Sequence, residues 1–176
     1  MKWDNKKLYK ALCFATKKHK NQQLKHPKDV PYSAHLCAVL TNAIKYASEL
    51  KEDINWDLLV CSALLHDTIE DTETTYEEIL SEFSKDVADA VLSLTKNNDI
   101  PHNNRIKDSI DRIKKQPKEV AIVKMSDRLF NMHIRIPFWS EEKSREYAEE
   151  AKLICDELGY ACEPLRVELK NYIKNY

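Results

Sequence analysis

Leu58-Leu59-Val60-Cys61-Ser62-Ala63-Leu64-Leu65-His66-Asp67-Thr68-Ile69-Glu70-Asp71 is the stretch that decides how this chain folds. Its first eight residues are apolar or small, and a helix that is apolar on every side belongs inside a protein. Its last six carry four ionisable side chains. Read as one continuous helix, the stretch sets Glu70 one turn past His66 and Asp71 one turn past Asp67, on a shared face. An imidazole and three carboxylates at the end of a core helix need compensation, because uncompensated buried charge is costly. A bound cation supplies it. His66 and Asp67 are then candidate ligands, and Glu70 and Asp71 act on whatever the cation activates.

Working outward, the flanking sequence is helical throughout. Lys6 to Lys20 shows one apolar side, with Asp4 or Asn5 placed to cap it. A polar connection from Asn21 to Pro31 leads to a second helical run, Tyr32 to Leu50, with His35 in its first turns. Asn55 caps the helix of the opening stretch. Thr74 and Thr75 each precede a glutamate by three residues, a capping-box pattern, and Ser84 caps the helix after that. Lys96 to Asn104 reads as a loop, followed by a basic helix from Arg105 to Gln116. Pro117 suits the first turn of a helix that carries Lys124 to Met132, and Pro137 interrupts. Ser140, Glu141 and Glu142 mark another helix start, which Gly159 ends in a left-handed cap. A last helix runs from about Pro164 to near Tyr176. No alternating run demands a strand, and no linker divides the chain. The expectation is an all-α, single-domain helical bundle over residues 1–176.

Composition narrows the function. The chain has 28 basic and 29 acidic residues, so no overall field draws it to nucleic acid or to an anionic membrane, and an anionic substrate must be met by local charge. No apolar stretch approaches the roughly 20 residues of a membrane span. No secretory core follows the N-terminus, so cytoplasm is expected. One glycine, Gly159, cannot build a P-loop or a dinucleotide fingerprint. Five cysteines (13, 37, 61, 155 and 162), none in a Cys-x-x-Cys pair, read as small buried hydrophobes in a reducing compartment. Trp3, Trp56 and Trp139 read as packing.

His35, the pair His66-Asp67, and Asp127 form a mixed nitrogen and oxygen donor set suited to a first-row divalent ion. Six-coordinate manganese would keep positions for water and substrate, whereas tetrahedral zinc would be closed by the same four ligands. Manganese(II) is therefore the expected ion. It would lower the pKa of a water and polarise a phosphoryl oxygen. Glu70 is placed to take a proton, with Asp71 sharing or orienting that step. Asn131, one turn past Asp127, points at the same site. Lys124 and Arg128 face phosphates or pair with neighbouring acids. Lys25 reads equally as a phosphate contact or a solvated loop residue, and Lys96 as a substrate contact or a surface lysine.

Four motifs carry a resemblance: Pro31-Tyr32-Ser33-Ala34-His35, Leu64 to Thr72, Leu94-Thr95-Lys96, and Lys124 to Met132. In order and spacing they resemble the HD superfamily of metal-dependent phosphohydrolases, and within it the hydrolase domain of RelA/SpoT-type enzymes and the stand-alone small alarmone hydrolases. The resemblance implies an all-helical HD fold and manganese-dependent release of pyrophosphate from the 3′ position of (p)ppGpp. It implies His35, His66, Asp67 and Asp127 as metal ligands, Glu70 and Asp71 as the water-activating pair, and Asn131 as a site residue. Two departures fall on the substrate side. Leu24 precedes Lys25 where the family has a base-stacking arginine, and His133-Ile134-Arg135 follows Met132 where Arg-Thr-Leu is common. They keep (p)ppApp, NADPH or another small nucleotide open as the substrate. A non-catalytic nucleotide sensor is the alternative of another class.

Overall fold

Helix α3 (Trp56–Leu65) is buried at every position from Leu58 to Leu65, and the other helices are arranged around it. The computed structural model describes residues 2–133 and 139–176. In chain order the remaining helices are α1 (Asn5–Lys18), α2 (Ser33–Ala47), α4 (Thr68–Asp71), α5 (Tyr76–Glu82), α6 (Lys85–Leu94), α7 (His102–Ile113), α8 (Lys118–His133), α9 (Glu141–Leu158) and α10 (Glu163–Lys174). Among the described residues there is no strand, and Gln23 and Pro31 form one isolated antiparallel bridge. The protein is an all-α bundle, as the hydrophobic patterning requires.

The caps explain the boundaries. Asp4, Asn55, Thr75, Ser84 and Ser140 each accept a hydrogen bond from a backbone N–H in the first turn of the helix that follows, satisfying donors that the helix itself leaves unpaired. Asp4 rather than Asn5 therefore caps α1. Thr75 rather than Thr74 caps α5, since Thr74 is buried and bonded to Thr72.

The central helix does not run on through Asp71. It stops at Leu65, and α4 starts afresh at Thr68. The reason is local: Nδ1 of His66 donates to the Ala63 carbonyl at 2.9 Å, and Oγ1 of Thr68 donates to the Leu65 carbonyl at 2.6 Å. These side chains satisfy carbonyls that a continuing helix would have used. Gly159 also differs from expectation. Its φ of −61° is right-handed, and it opens a 3₁₀ turn, Gly159–Ala161, instead of a left-handed cap. A Cβ there would meet the Arg166 side chain, which would have to move aside. Cys61, Cys155 and Cys162 are buried, but Cys13 and Cys37 are exposed, contrary to the expectation for all five. The interruption at Pro137 and the departure at Ile134 lie outside the described residues.

Three helices position the site. α2, α3 and α8 each pack against the other two, and their shared apolar interior includes Leu36, Val39, Leu59, Leu64, Ile122 and Met125, all fully buried. α1 and α6 also lie against α3, while α9 and α10 close over α8. Glu119, itself buried, accepts from the Asn55 backbone N–H at 2.7 Å and ties the start of α8 to the start of α3.

Candidate metal and nucleotide site

The start of α2, the end of α3 and the second half of α8 meet at one place, and each delivers part of one cluster. His35 and His66 are buried, with their Nε2 atoms 3.2 Å apart. Asp127 Oδ1 lies 3.4 Å from the first and 3.8 Å from the second. Asp67 Oδ2 lies 3.3 Å from His35 Nε2 and 2.9 Å from His66 Nε2. The ligand atoms of His35, His66 and Asp127 all fall within 4.8 Å of one another.

The cluster fits a divalent cation. The Nδ1–H of His66 is committed to the Ala63 carbonyl, which fixes the tautomer and presents the Nε2 lone pair to the cluster, as second-sphere bonds do for ligating histidines. The surroundings of the cluster favour positive charge on its imidazoles and negative charge on its carboxylates. Burial works against charge on His35, yet the hydrogen bonds and charges of Asp127 and Asp67 outweigh it and push the imidazole up to about 10. Burial opposes charge on His66 too, and Asp67 overcomes it. Burial also disfavours both carboxylates, but His66 and His35 hold Asp67, and His35 and Lys124 hold Asp127, below the usual carboxylate range. Two imidazoles and two carboxylates are so strongly coupled because they share one small volume. A cation placed there supplies the compensation that protons otherwise provide.

A cavity of about 370 Å³ opens beside the cluster. Glu70, Asp71 and Asn131 line it together with three of the four candidate cations, Lys25, Lys96 and Lys124. Asn131 donates from Nδ2 to Asp127 Oδ1 at 2.6 Å, steering that carboxylate. Both oxygens of Glu70 are engaged by Lys96, Oε2 by its backbone N–H at 2.9 Å and Oε1 by its ammonium at 2.6 Å. Lys96 is thus a cavity residue, and the Glu70 charge holds its pKa up against the opposing effect of burial. The Asp71 carboxyl is pushed up by burial and by the charges of Asp67 and Glu70. Lys124 is buried, with its ammonium 3.8 Å from Asp127.

Arg128 goes elsewhere. Its guanidinium bonds Glu150 at 3.0 Å and lies 3.9 Å over the Tyr147 ring, and it is absent from the cavity lining. At helical spacing it follows Lys124 by four, but the neighbouring acid takes it.

The aromatic walls of the cavity carry no distinct signal in the sequence. Phe130, Trp139 and Tyr147 line the cavity, and Trp139 meets Tyr147 edge-on with centroids 5.0 Å apart. Trp3 and Trp56 do pack together, at 6.1 Å, but Trp139 fronts the site. Tyr32 was visible only as part of a motif. Its hydroxyl donates to Asp67 Oδ2 at 2.5 Å.

Comparison with known proteins bears on this geometry. The family model described as HD domain matches residues 11–160, which span every residue of the cluster. The chain belongs to the HD-domain family. This HD domain is 31% identical over 151 residues to guanosine-3′,5′-bis(diphosphate) 3′-pyrophosphohydrolase MESH1 of Danio rerio, covering 84% of this chain and 81% of that one. To the MESH1 of Homo sapiens it is 29% identical over 174 residues, 95% of this chain and 93% of the other. Its fold matches a solved metazoan orthologue of SpoT, described as hydrolysing ppGpp, with a TM-score of 0.82 at 24% identity, over 99% of this chain and 98% of that one. HD-domain hydrolases bind a divalent metal, and this HD domain contains a His-His-Asp group whose ligand atoms lie close enough together to hold one.

Proposed function

We propose that this HD domain is a manganese-dependent phosphohydrolase that removes the 3′-pyrophosphate of (p)ppGpp, giving GDP or GTP and pyrophosphate. The observation that carries the reading is the cavity in which His35, Asp67 and Asp127, with His66 buried directly behind them, meet a carboxylate pair, three lysines and an aromatic wall. The substrate follows from the named activity of the relatives at about 30% identity over most of the chain.

His35, His66, Asp67 and Asp127 would hold the ion, which when bound lowers the pKa of water and polarises a phosphoryl oxygen. The reaction joins a water oxygen to the phosphorus carried on the 3′ oxygen, breaks the bond between that phosphorus and the 3′ oxygen, and leaves a 3′ hydroxyl. Asp71 is suited to accept the water's proton, because burial and its acidic neighbours make it a stronger base than an ordinary aspartate. This exchanges the roles expected from the sequence: with both of its oxygens engaged by Lys96, Glu70 shares and orients the proton transfer instead of leading it. Lys25 and Lys124 meet the phosphate oxygens. Phe130, Trp139 and Tyr147 offer flat apolar surface to a base.

Leu24 lines the cavity, and an apolar side chain there places no charge on the base. This observation favours a second reading in which adenosine alarmones or NADPH are also accepted. The test is product analysis with manganese-loaded protein and ppGpp, pppGpp, ppApp, NADPH and common nucleoside triphosphates. GDP and pyrophosphate from ppGpp support the first reading. Turnover confined to another compound transfers the assignment to it. Tight binding of ppGpp without turnover makes the protein a nucleotide sensor.

A further inference from the structure

Tyr32 stands immediately before α2 and faces two acids of the site at once. Its hydroxyl is 2.5 Å from Asp67 Oδ2 and 3.4 Å from Asp71 Oδ2. A phenol has one hydrogen to give, and the shorter contact goes to Asp67. The oxygen that receives it is the same one that lies 3.3 and 2.9 Å from the two imidazoles. The carboxylate is therefore pinned on the edge that a cation would use.

The ring is held in turn. His19, which follows the last turn of α1, is buried and stacks on Tyr32 with centroids 4.7 Å apart and planes 23° from parallel. His35 lies against Tyr32 as well, at 5.1 Å. Gln22 completes the frame. Its Nε2 donates to the Asp71 backbone carbonyl at 2.5 Å, so its Oε1 must be the atom facing His19. That oxygen accepts from His19 Nδ1 at 2.6 Å. One chain of contacts thus runs from His19 through Tyr32 to the Asp67 side chain, and a second from His19 through Gln22 to the Asp71 backbone. Both begin on one imidazole, and they end on an acid assigned to the metal and on the acid assigned to the proton.

We propose that Tyr32 is a positioning residue whose hydroxyl sets the Asp67 carboxylate for the metal, and that His19 and Gln22 hold Tyr32 and the Asp71 backbone in a common register. The inference rests on the metal-dependent reading above. Outer-sphere partners of metal ligands are worth roughly 10–100-fold in affinity or activity, so the effect is measurable. The contacts separate two functions. Removing the Tyr32 hydroxyl acts first on the metal, and removing the Gln22 amide acts first on the carboxylate that takes the proton.

The experiment uses the full chain with Tyr32→Phe, which keeps the ring and its stack on His19, and with Gln22→Ala. Manganese affinity is measured by competition with a chelating dye, kcat and KM are measured with ppGpp, and the thermal midpoint is measured in chelator. Tyr32→Phe is expected to weaken manganese binding about tenfold or more and to lower kcat at saturating metal, with KM and the metal-free thermal midpoint unchanged. Gln22→Ala is expected to lower kcat while manganese affinity holds. Wild-type manganese affinity in Tyr32→Phe overturns the proposal, whether kcat is kept or the only change is a lower metal-free midpoint. The metal measurement needs no substrate. A wild-type protein that binds manganese but does not hydrolyse ppGpp removes the proposed function, while the Tyr32→Phe affinity still decides the role of Tyr32.

Discussion

Residue identity decides the two halves of this site differently. The ligand half was legible in the sequence because its residue types are hard to explain otherwise: His66-Asp67 follows a core helix, and buried ionisable groups require partners. His35 and Asp127 joined that pair only through motif pattern, since a lone histidine or aspartate in a helix has many ordinary uses. Asp127→Ala should therefore abolish manganese binding, measured by dye competition, since it removes a central donor of the cluster. Glu70→Ala should keep the metal and lose about 10²–10⁴-fold in kcat, the usual contribution of proton-transfer groups, and full activity in that variant would refute its role. The substrate half was not legible. Trp139 stands beside a charged helix start and Tyr147 within a charged helix, where a large ring is ordinarily spent on packing, and only the folded chain brings them to the cavity. Lys25 is exposed on a loop, so Lys25→Ala should raise KM for ppGpp with kcat nearly kept, the signature of lost uniform binding.

At the level of elements, helix type and order followed from apolar periodicity and caps, and boundaries followed where a cap was chemically distinct. The break after Leu65 was missed because it depends on two side chains folding back on carbonyls, a competition that periodicity does not register. The same break turns His66 and Asp67 into a corner between α3 and α4, where the pair can face α2 and α8 together. Energetically α3 matters most. Leu65 is fully buried, and Leu65→Ala should cost about 2–5 kcal/mol by the loss of buried surface and the cavity left behind. Asn55→Ala, which removes only the cap, should cost about 1 kcal/mol. Urea midpoints of the two variants in chelator would rank them, and an equal loss would contradict the central placing of α3.

For the whole molecule, the exposure of cysteines gives a test that is independent of activity. Cys13 and Cys37 are exposed, while Cys61, Cys155 and Cys162 are buried. Burial pushes the Cys61 thiol up to about 11, so near pH 8 it is both shielded and protonated. A thiol reagent should label two of the five cysteines in the native protein and all five in denaturant, read by intact mass. Among the described residues no helix is long and apolar enough to cross a membrane, in keeping with the near-balanced charge. A ligand that binds only the folded state stabilises it, by about 2.7 kcal/mol at one hundred times its dissociation constant. Manganese should therefore raise the thermal midpoint of the wild type and leave that of Asp127→Ala unmoved.

The donors of the cluster come from α2, from the turn that joins α3 to α4 and from α8, so they are brought together by the packing of segments distant in the chain. During synthesis Asp127 leaves the ribosome roughly 5–20 seconds after His35, and until α8 has docked Asp67 is the one carboxylate of the cluster beside the two imidazoles. The full set of four candidate donors therefore exists only once α8 is in place.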